Sequence, residues 1–241
     1  VFRPVHPNGH SVIVVPGGSY EFVSIANEGL DPARKLAESG STVFVLTYRL
    51  PGEGWANRSA VPLQDAQRAM RIVRSHASQL AIDPDKVGIL GFSAGGHLAA
   101  TLATQHFEHT YDPIDAIDEL DARPHTAGLI YPVVTMQTPW THEISRRRLL
   151  GDSPSPTEIA RRSAEQQVGP ATVPVFLVHA FDDRAVPIEN SLRLMEAMRT
   201  AQRPIEAHLL QEGGHAFGTG YPGSPSAHWC SLYSSWVSRV T

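Results

Sequence analysis

Short apolar runs rich in β-branched residues recur along the chain, each bounded by Gly, Pro or polar positions. Ser11–Pro16 (SVIVVP), Ser41–Tyr48 (STVFVLTY), Lys86–Leu90 (KVGIL), Ala127–Val134 (AGLIYPVV), Val173–Phe181 (VPVFLVHAF) and Ile205–Leu210 (IEAHLL) read as buried strands. Segments of helical period lie between them. Asp31–Ser39 sets Ala33, Leu36 and Ala37 on one face, and Leu63–Leu80 repeats Ala66, Ala69, Met70, Val73 and Ala77. Gly96–Gln105, Pro187–Thr200 and Trp229–Val240 follow the same logic. Strands alternating with helices predict βαβ units. The expected fold class is therefore α/β: a mostly parallel, doubly wound sheet with helices on both faces and its site at the strand C-termini. Residues 1–241 read as one domain, with Val1–Val5 the remnant of an early strand.

Two segments break the rhythm. His106–Pro124 collects Glu108, Asp112, Asp115, Asp118, Glu119 and Asp121 against a single Arg123. Residues 135–170 form a polar insert, rich in Pro and Arg, that is expected near the active-site rim. The remaining composition narrows the picture by exclusion. A net charge of −4 leaves no footprint for nucleic acid or an acidic membrane surface. One cysteine, Cys230, excludes an internal disulfide and a cysteine-based zinc cluster. No apolar run is long enough to span a bilayer. The chain starts at Val1 rather than Met, so a preceding segment, such as a secretory leader, is expected to have been removed.

The strongest local signal is Gly91-Phe92-Ser93-Ala94-Gly95, a G-x-S-x-G between a predicted strand and the small-residue helix Gly96–Gln105. Strand, turn and helix in that order make the setting of a nucleophile elbow. The turn lifts the serine hydroxyl above the sheet and aims a helix N-terminus at it, which favours developing negative charge. Serine is a weak nucleophile at neutral pH and needs a base. Among 12 histidines, His215 stands out, because Gly213-Gly214-His215-Ala216-Phe217-Gly218 follows the last predicted strand. His179 lies inside a strand and reads as buried support, while His106, His109, His125 and His142 show no metal-ligand spacing.

The acid belongs at the end of the preceding strand, where Asp182 and Asp183 stand side by side. Either carboxylate can fix the imidazole tautomer. The second of two such acids more often caps backbone N–H groups, so Asp182 is preferred and Asp183 is the alternative. Pro16-Gly17-Gly18-Ser19-Tyr20 follows the first strand at the same rim as Ser93. Its Gly-Gly turn lets backbone N–H groups approach a ligand, and Gly18, Ser19 and Ala94 are the expected oxyanion donors. Trp140, Tyr20, Phe22, Trp55 and Tyr221 fall on predicted loops, and Tyr20 and Trp140 are the candidate sugar contacts.

With these parts in order, the chain resembles the α/β-hydrolase superfamily over nearly its whole length. PGGSY resembles an HGGG-type oxyanion segment, with Pro16 where the family has His. GFSAGGHLAA resembles the elbow, DDRAVPIENS the acid loop and EGGHAFG the histidine loop. Together with TYRLP and LQDAQRAMRIVR, these segments are similar to small bacterial acetyl xylan esterases and feruloyl-esterase-like proteins. The resemblance implies a Ser93, Asp182, His215 triad and hydrolysis of short acyl esters, acetyl above all, on plant-cell-wall carbohydrate such as xylan. It implies no metal and no cofactor, a small-molecule or oligosaccharide ester as substrate, and a secreted or periplasmic location in preference to a cytoplasmic one. Two rivals remain. One is a small-molecule esterase or formamidase-like amidase using the same triad. The other is a hydrolase-fold binding module without activity, which a full triad disfavours.

Overall fold

The computed structural model describes residues 1–240. The six apolar runs become β1 (Ser11–Val15), β2 (Thr42–Val45), β3 (Val87–Phe92), β4 (Ala127–Ile130), β5 (Val175–Ala180) and β6 (Ile205–Leu210). All pair in parallel, in the order β2-β1-β3-β4-β5-β6. The helices are α1 (Asp31–Glu38), α2 (Val61–Ser75), α3 (Ala77–Leu80), α4 (Ser93–Gln105), α5 (Glu143–Leu150), α6 (Pro156–Arg161), α7 (Glu189–Thr200) and α8 (Trp229–Val237).

The near-continuous apolar strands follow from a sheet covered on both sides. Alternate residues point to opposite faces, so each strand feeds two cores. Ile13, Val15, Ile89, Leu129 and Leu177 pack with Met70 of α2, Leu98 of α4 and Leu194 of α7. Val12, Val14, Leu90, Ile130 and Val178 pack on the other face with Leu36 of α1 and Trp229 and Trp236 of α8. Each fully buried Leu or Ile contributes about 1.5–3 kcal/mol. α4 is buried on every side, which its run of Gly and Ala permits.

Several boundaries differ from expectation, each for a local reason. The Leu63–Leu80 helix is interrupted at His76, which leaves helical geometry with φ −103° and ψ 8°. β4 stops at Ile130 because Tyr131 takes φ 38°, and Pro132 then has no N–H to continue the ladder. The polar insert is not irregular: it folds into α5, α6 and a 3-10 turn at Ala164–Gln167. Its clearest start signal was legible, since Ser155 and Glu158 form a reciprocal cap around Pro156. Val1–Val5 contributes one antiparallel bridge, Phe2 with Val43, rather than a strand.

The strand order also locates a crevice. After β1 the chain turns to α1 on one face, and after β3 it turns to α4 on the other. The two strands are adjacent and in register, Val15 opposite Gly91. Their C-terminal ends therefore separate at a topological switch point, the place where such sheets bind ligands.

Candidate active site

Ser93 sits at that switch point, as the first residue of α4 and with φ 50°. A side chain there is strained, and the turn is stabilised by close packing on both sides. A Cβ on Gly91 would lie 2.1 Å from the Gly95 carbonyl oxygen, and one on Gly95 would lie 2.2 Å from that of Val15. Only glycine fits at either position. The turn leaves the first N–H groups of α4, Ala94 among them, without helical acceptors.

The loops after β5 and β6 close on this serine. His215 Nε2 lies 2.9 Å from Ser93 Oγ, and His215 Nδ1 lies 2.6 Å from Asp183 Oδ2. The acid beside His215 is thus Asp183, not Asp182 as the sequence suggested. Asp183 is buried, and its Oδ1 accepts from the N–H groups of Ala185 and Val186, both at 2.9 Å. Its Oδ2 also meets His179 Nε2 at 3.1 Å. Asp182 points outward and caps the histidine loop instead, with Oδ1 accepting from Gly213 at 2.9 Å and Gly214 at 2.8 Å. The expectation failed because one residue does both jobs: Asp183 caps its own loop with one oxygen and faces the imidazole with the other.

Burial alone would raise the Asp183 carboxyl, but hydrogen bonds from His179 and His215 outweigh it and hold the group well below the ordinary carboxylate range. His179 is itself fully buried and fixed by Ser191 Oγ at 2.7 Å from its Nδ1. The carboxylate therefore stays charged and oriented throughout the neutral range.

Segment 16–20 lies against Ser93 from the β1 side. Gly18, Ser19 and Tyr20 take φ values of 122°, 58° and 61°, which turn the backbone back over the serine. The N–H groups of Gly18 and Ser19 have no acceptor among the described residues. Three buried side chains fix the segment. Tyr48 donates to the Pro16 carbonyl at 2.9 Å, Glu28 accepts from the Gly17 N–H at 2.9 Å, and His97 Nδ1 accepts from Tyr20 at 2.7 Å. Tyr20 is consequently only 1% exposed, so the expectation that it touches substrate is corrected: its ring anchors the loop. Trp140 is half-buried in the insert, with the Arg193 guanidinium 4.1 Å from its ring centre. Its carbonyl accepts from Asn190 of α7 at 2.7 Å.

The residues missed from sequence are mostly buried polar ones. His97, Glu28, Tyr131 and Asn190 carry no periodic signal, and each is recognisable only by its partners. His142 is the exception in place rather than kind: it caps α5, and burial, then the nearby His215, lowers its pKa.

A parallel sheet of this order with a strained serine at its switch point defines the α/β-hydrolase class, and the relatives and solved structures it matches include carboxylic ester hydrolases. The family model described as BD-FAE matches residues 4–198, and the chain belongs to that family. It is 33% identical over 223 residues to an acetylxylan esterase of Xylanibacter ruminicola, covering 91% of this chain and 43% of that protein. It is 35% identical over 204 residues to endo-1,4-beta-xylanase B of Butyrivibrio fibrisolvens, covering 85% of this chain and 32% of that one. The chain thus spans less than half the length of both relatives. The crystal structure of an acetyl ester-xyloside bifunctional hydrolase from Caldicellulosiruptor lactoaceticus matches with a TM-score of 0.89 at 33% identity. That match covers 99% of this chain and 85% of the other. No helix among the described residues is long and apolar enough to cross a membrane.

Proposed function

We propose that this chain is a serine carboxylesterase that removes short acyl groups, acetyl first, from carbohydrate esters such as acetylated xylan fragments. The observation that carries the reading is the unbroken hydrogen-bonded path from Ser93 through His215 to a buried, ionised Asp183. The names of the similar proteins support the acetyl and xylan parts.

In this reading Ser93 Oγ attacks the ester carbonyl carbon while His215 Nε2 accepts its proton. Asp183 stabilises the imidazolium that forms. The free N–H groups of Gly18, Ser19 and Ala94 receive the oxyanion, and losing one such donor costs on the order of 10²–10³ in rate. His215 then hands the proton to the departing sugar oxygen, leaving an acyl group on Ser93. Water, deprotonated by the same imidazole, releases the acid and restores the serine.

The test is acetate release from acetylated xylo-oligosaccharides beside p-nitrophenyl acetate and butyrate, with Ser93→Ala as the blank. Release from sugar and p-nitrophenyl acetate, with butyrate poor, is the expected result. Turnover of p-nitrophenyl acetate without sugar deacetylation would remove the carbohydrate part. A Ser93→Ala variant with near-native turnover would overturn the mechanism.

A further inference from the structure

Glu28 is a carboxylate with no surface role. It lies in a π-helical turn, Ala26–Leu30, and is only 3% exposed, yet both its oxygens are engaged. Oε2 accepts from the Gly17 N–H at 2.9 Å, and Oε1 accepts from the Tyr131 hydroxyl at 2.9 Å. The same hydroxyl oxygen accepts from the Gly218 N–H at 3.2 Å. Tyr131 also lays its ring edge-on to His215, with ring centres 4.8 Å apart. Next to Glu28, Asn27 donates from its amide to the Ala216 carbonyl at 3.0 Å. One short turn therefore touches the loop after β1 and the loop after β6, which lie far apart in sequence.

The fit around Glu28 leaves no slack. A Cβ on Gly17 would come within 2.8 Å of Glu28 Oε2 and 2.9 Å of Ser93 Cβ, so carboxylate, glycine and serine are stacked in contact. A carboxyl group buried this deeply costs several kcal/mol unless its hydrogen bonds repay it. Stability alone gives little reason to keep it, since an apolar side chain fills such a site at lower cost.

Resting on the reading of Ser93 as nucleophile, we propose that Glu28 is a positioning residue that holds the oxyanion donors and His215 in mutual register. The Gly17 N–H fixes the start of the donor segment, and Gly18 and Ser19 follow it directly. Tyr131 transmits the same anchor to the face and loop of the imidazole. Removing the carboxylate frees both ends together, so the substrate still binds while the transition state loses its aligned donors. The loss falls on kcat, with KM little changed.

The experiment compares wild type, Glu28→Ala, Glu28→Gln and Tyr131→Phe on p-nitrophenyl acetate, with near-UV circular dichroism as the folding check. Misplacing an aligned group by about 1 Å can cost on the order of 10²-fold, so Glu28→Ala is expected to lose roughly that factor in kcat, with KM within about threefold. Glu28→Gln keeps an acceptor for Gly17 but loses the one for Tyr131, and is expected to recover about tenfold over Glu28→Ala. Tyr131→Phe is expected to be additive with neither, because the double variant Glu28→Ala/Tyr131→Phe removes one shared path. Should Glu28→Ala fail to fold, Glu28→Gln and Tyr131→Phe carry the comparison. The proposal falls if folded Glu28→Ala keeps kcat within about threefold of wild type, or if KM rises while kcat holds. Fluorophosphonate labelling of wild type separates the layers. If the folded wild type neither labels at Ser93 nor turns over ester, the nucleophile reading fails; if it does both and Glu28→Ala matches it, only the inference about Glu28 fails.

Discussion

The loop after β1 and the loop after β5 reach the same rim but are held in opposite ways. Residues 181–187 secure themselves: Asp183 caps Ala185 and Val186 from within the loop and still offers an oxygen to His215. Residues 16–20 accept backbone bonds from Glu21, Phe22 and Ser24 but take their side-chain anchors from outside, from Tyr48, Glu28 and His97. The difference follows from what each must present. A loop that offers a carboxylate can satisfy its own N–H groups with it. One that offers bare N–H groups cannot satisfy them and must borrow its rigidity from neighbours, here through buried polar contacts.

The sharpest way to break this contrast is to exchange the adjacent acids. Asp183→Asn is expected to lower kcat/KM on p-nitrophenyl acetate by roughly 10⁴-fold, since the amide can stabilise the wrong imidazole tautomer and no imidazolium. Asp182→Ala frees only the exposed Gly213 and Gly214 caps and is expected to cost less than about tenfold. Equal losses in the two variants would erase the assignment of Asp183.

Acid stability tests the borrowed anchors. Burial, only partly offset by the hydrogen bond to the Arg162 carbonyl, lowers His97 to about 4. An unfolded histidine takes its proton near 6.5, so between those values the unfolded chain binds a proton that the folded one refuses. The stability that neutral His97 provides is therefore complete above about 6.5 and drains away as pH falls to about 4, on the order of 3 kcal/mol in all. The fall in urea midpoint between pH 7 and 4.5 should be smaller in His97→Gln than in wild type; a midpoint that still falls as steeply would trace the acid sensitivity to other groups, such as His142. The smallest effect belongs to Tyr48→Phe, which deletes one hydroxyl from the Pro16 carbonyl and is expected to cost about 1 kcal/mol in the same assay. A loss indistinguishable from zero would show that two anchors suffice.

Much of this was legible in the chain. Six runs of β-branched residues announced the sheet, and the glycines about Ser93 and His215 announced the turns that carry them. The capping rule prefers Asp182 to Asp183 but cannot see burial, because side chains leaving a strand end alternate in direction, and one residue of offset decides which is buried. Tyr20 misled for a related reason: an aromatic on a loop looks exposed until a partner such as His97, 77 positions away, claims its hydroxyl. The helices of the insert were missed because short helices in polar sequence owe their existence to caps and to tertiary contacts, such as Arg58 on the carbonyls of Arg147 and Arg148.

The histidine loop is tied down by α8, where Trp229 donates its indole N–H to the Gly218 carbonyl at 2.9 Å. Synthesis runs from N- to C-terminus, so the central strand leading to Ser93 is made long before this tie. A ribosome-bound chain that has not yet passed residue 237 holds Ser93 in place while the loop carrying His215 still lacks its tie to α8.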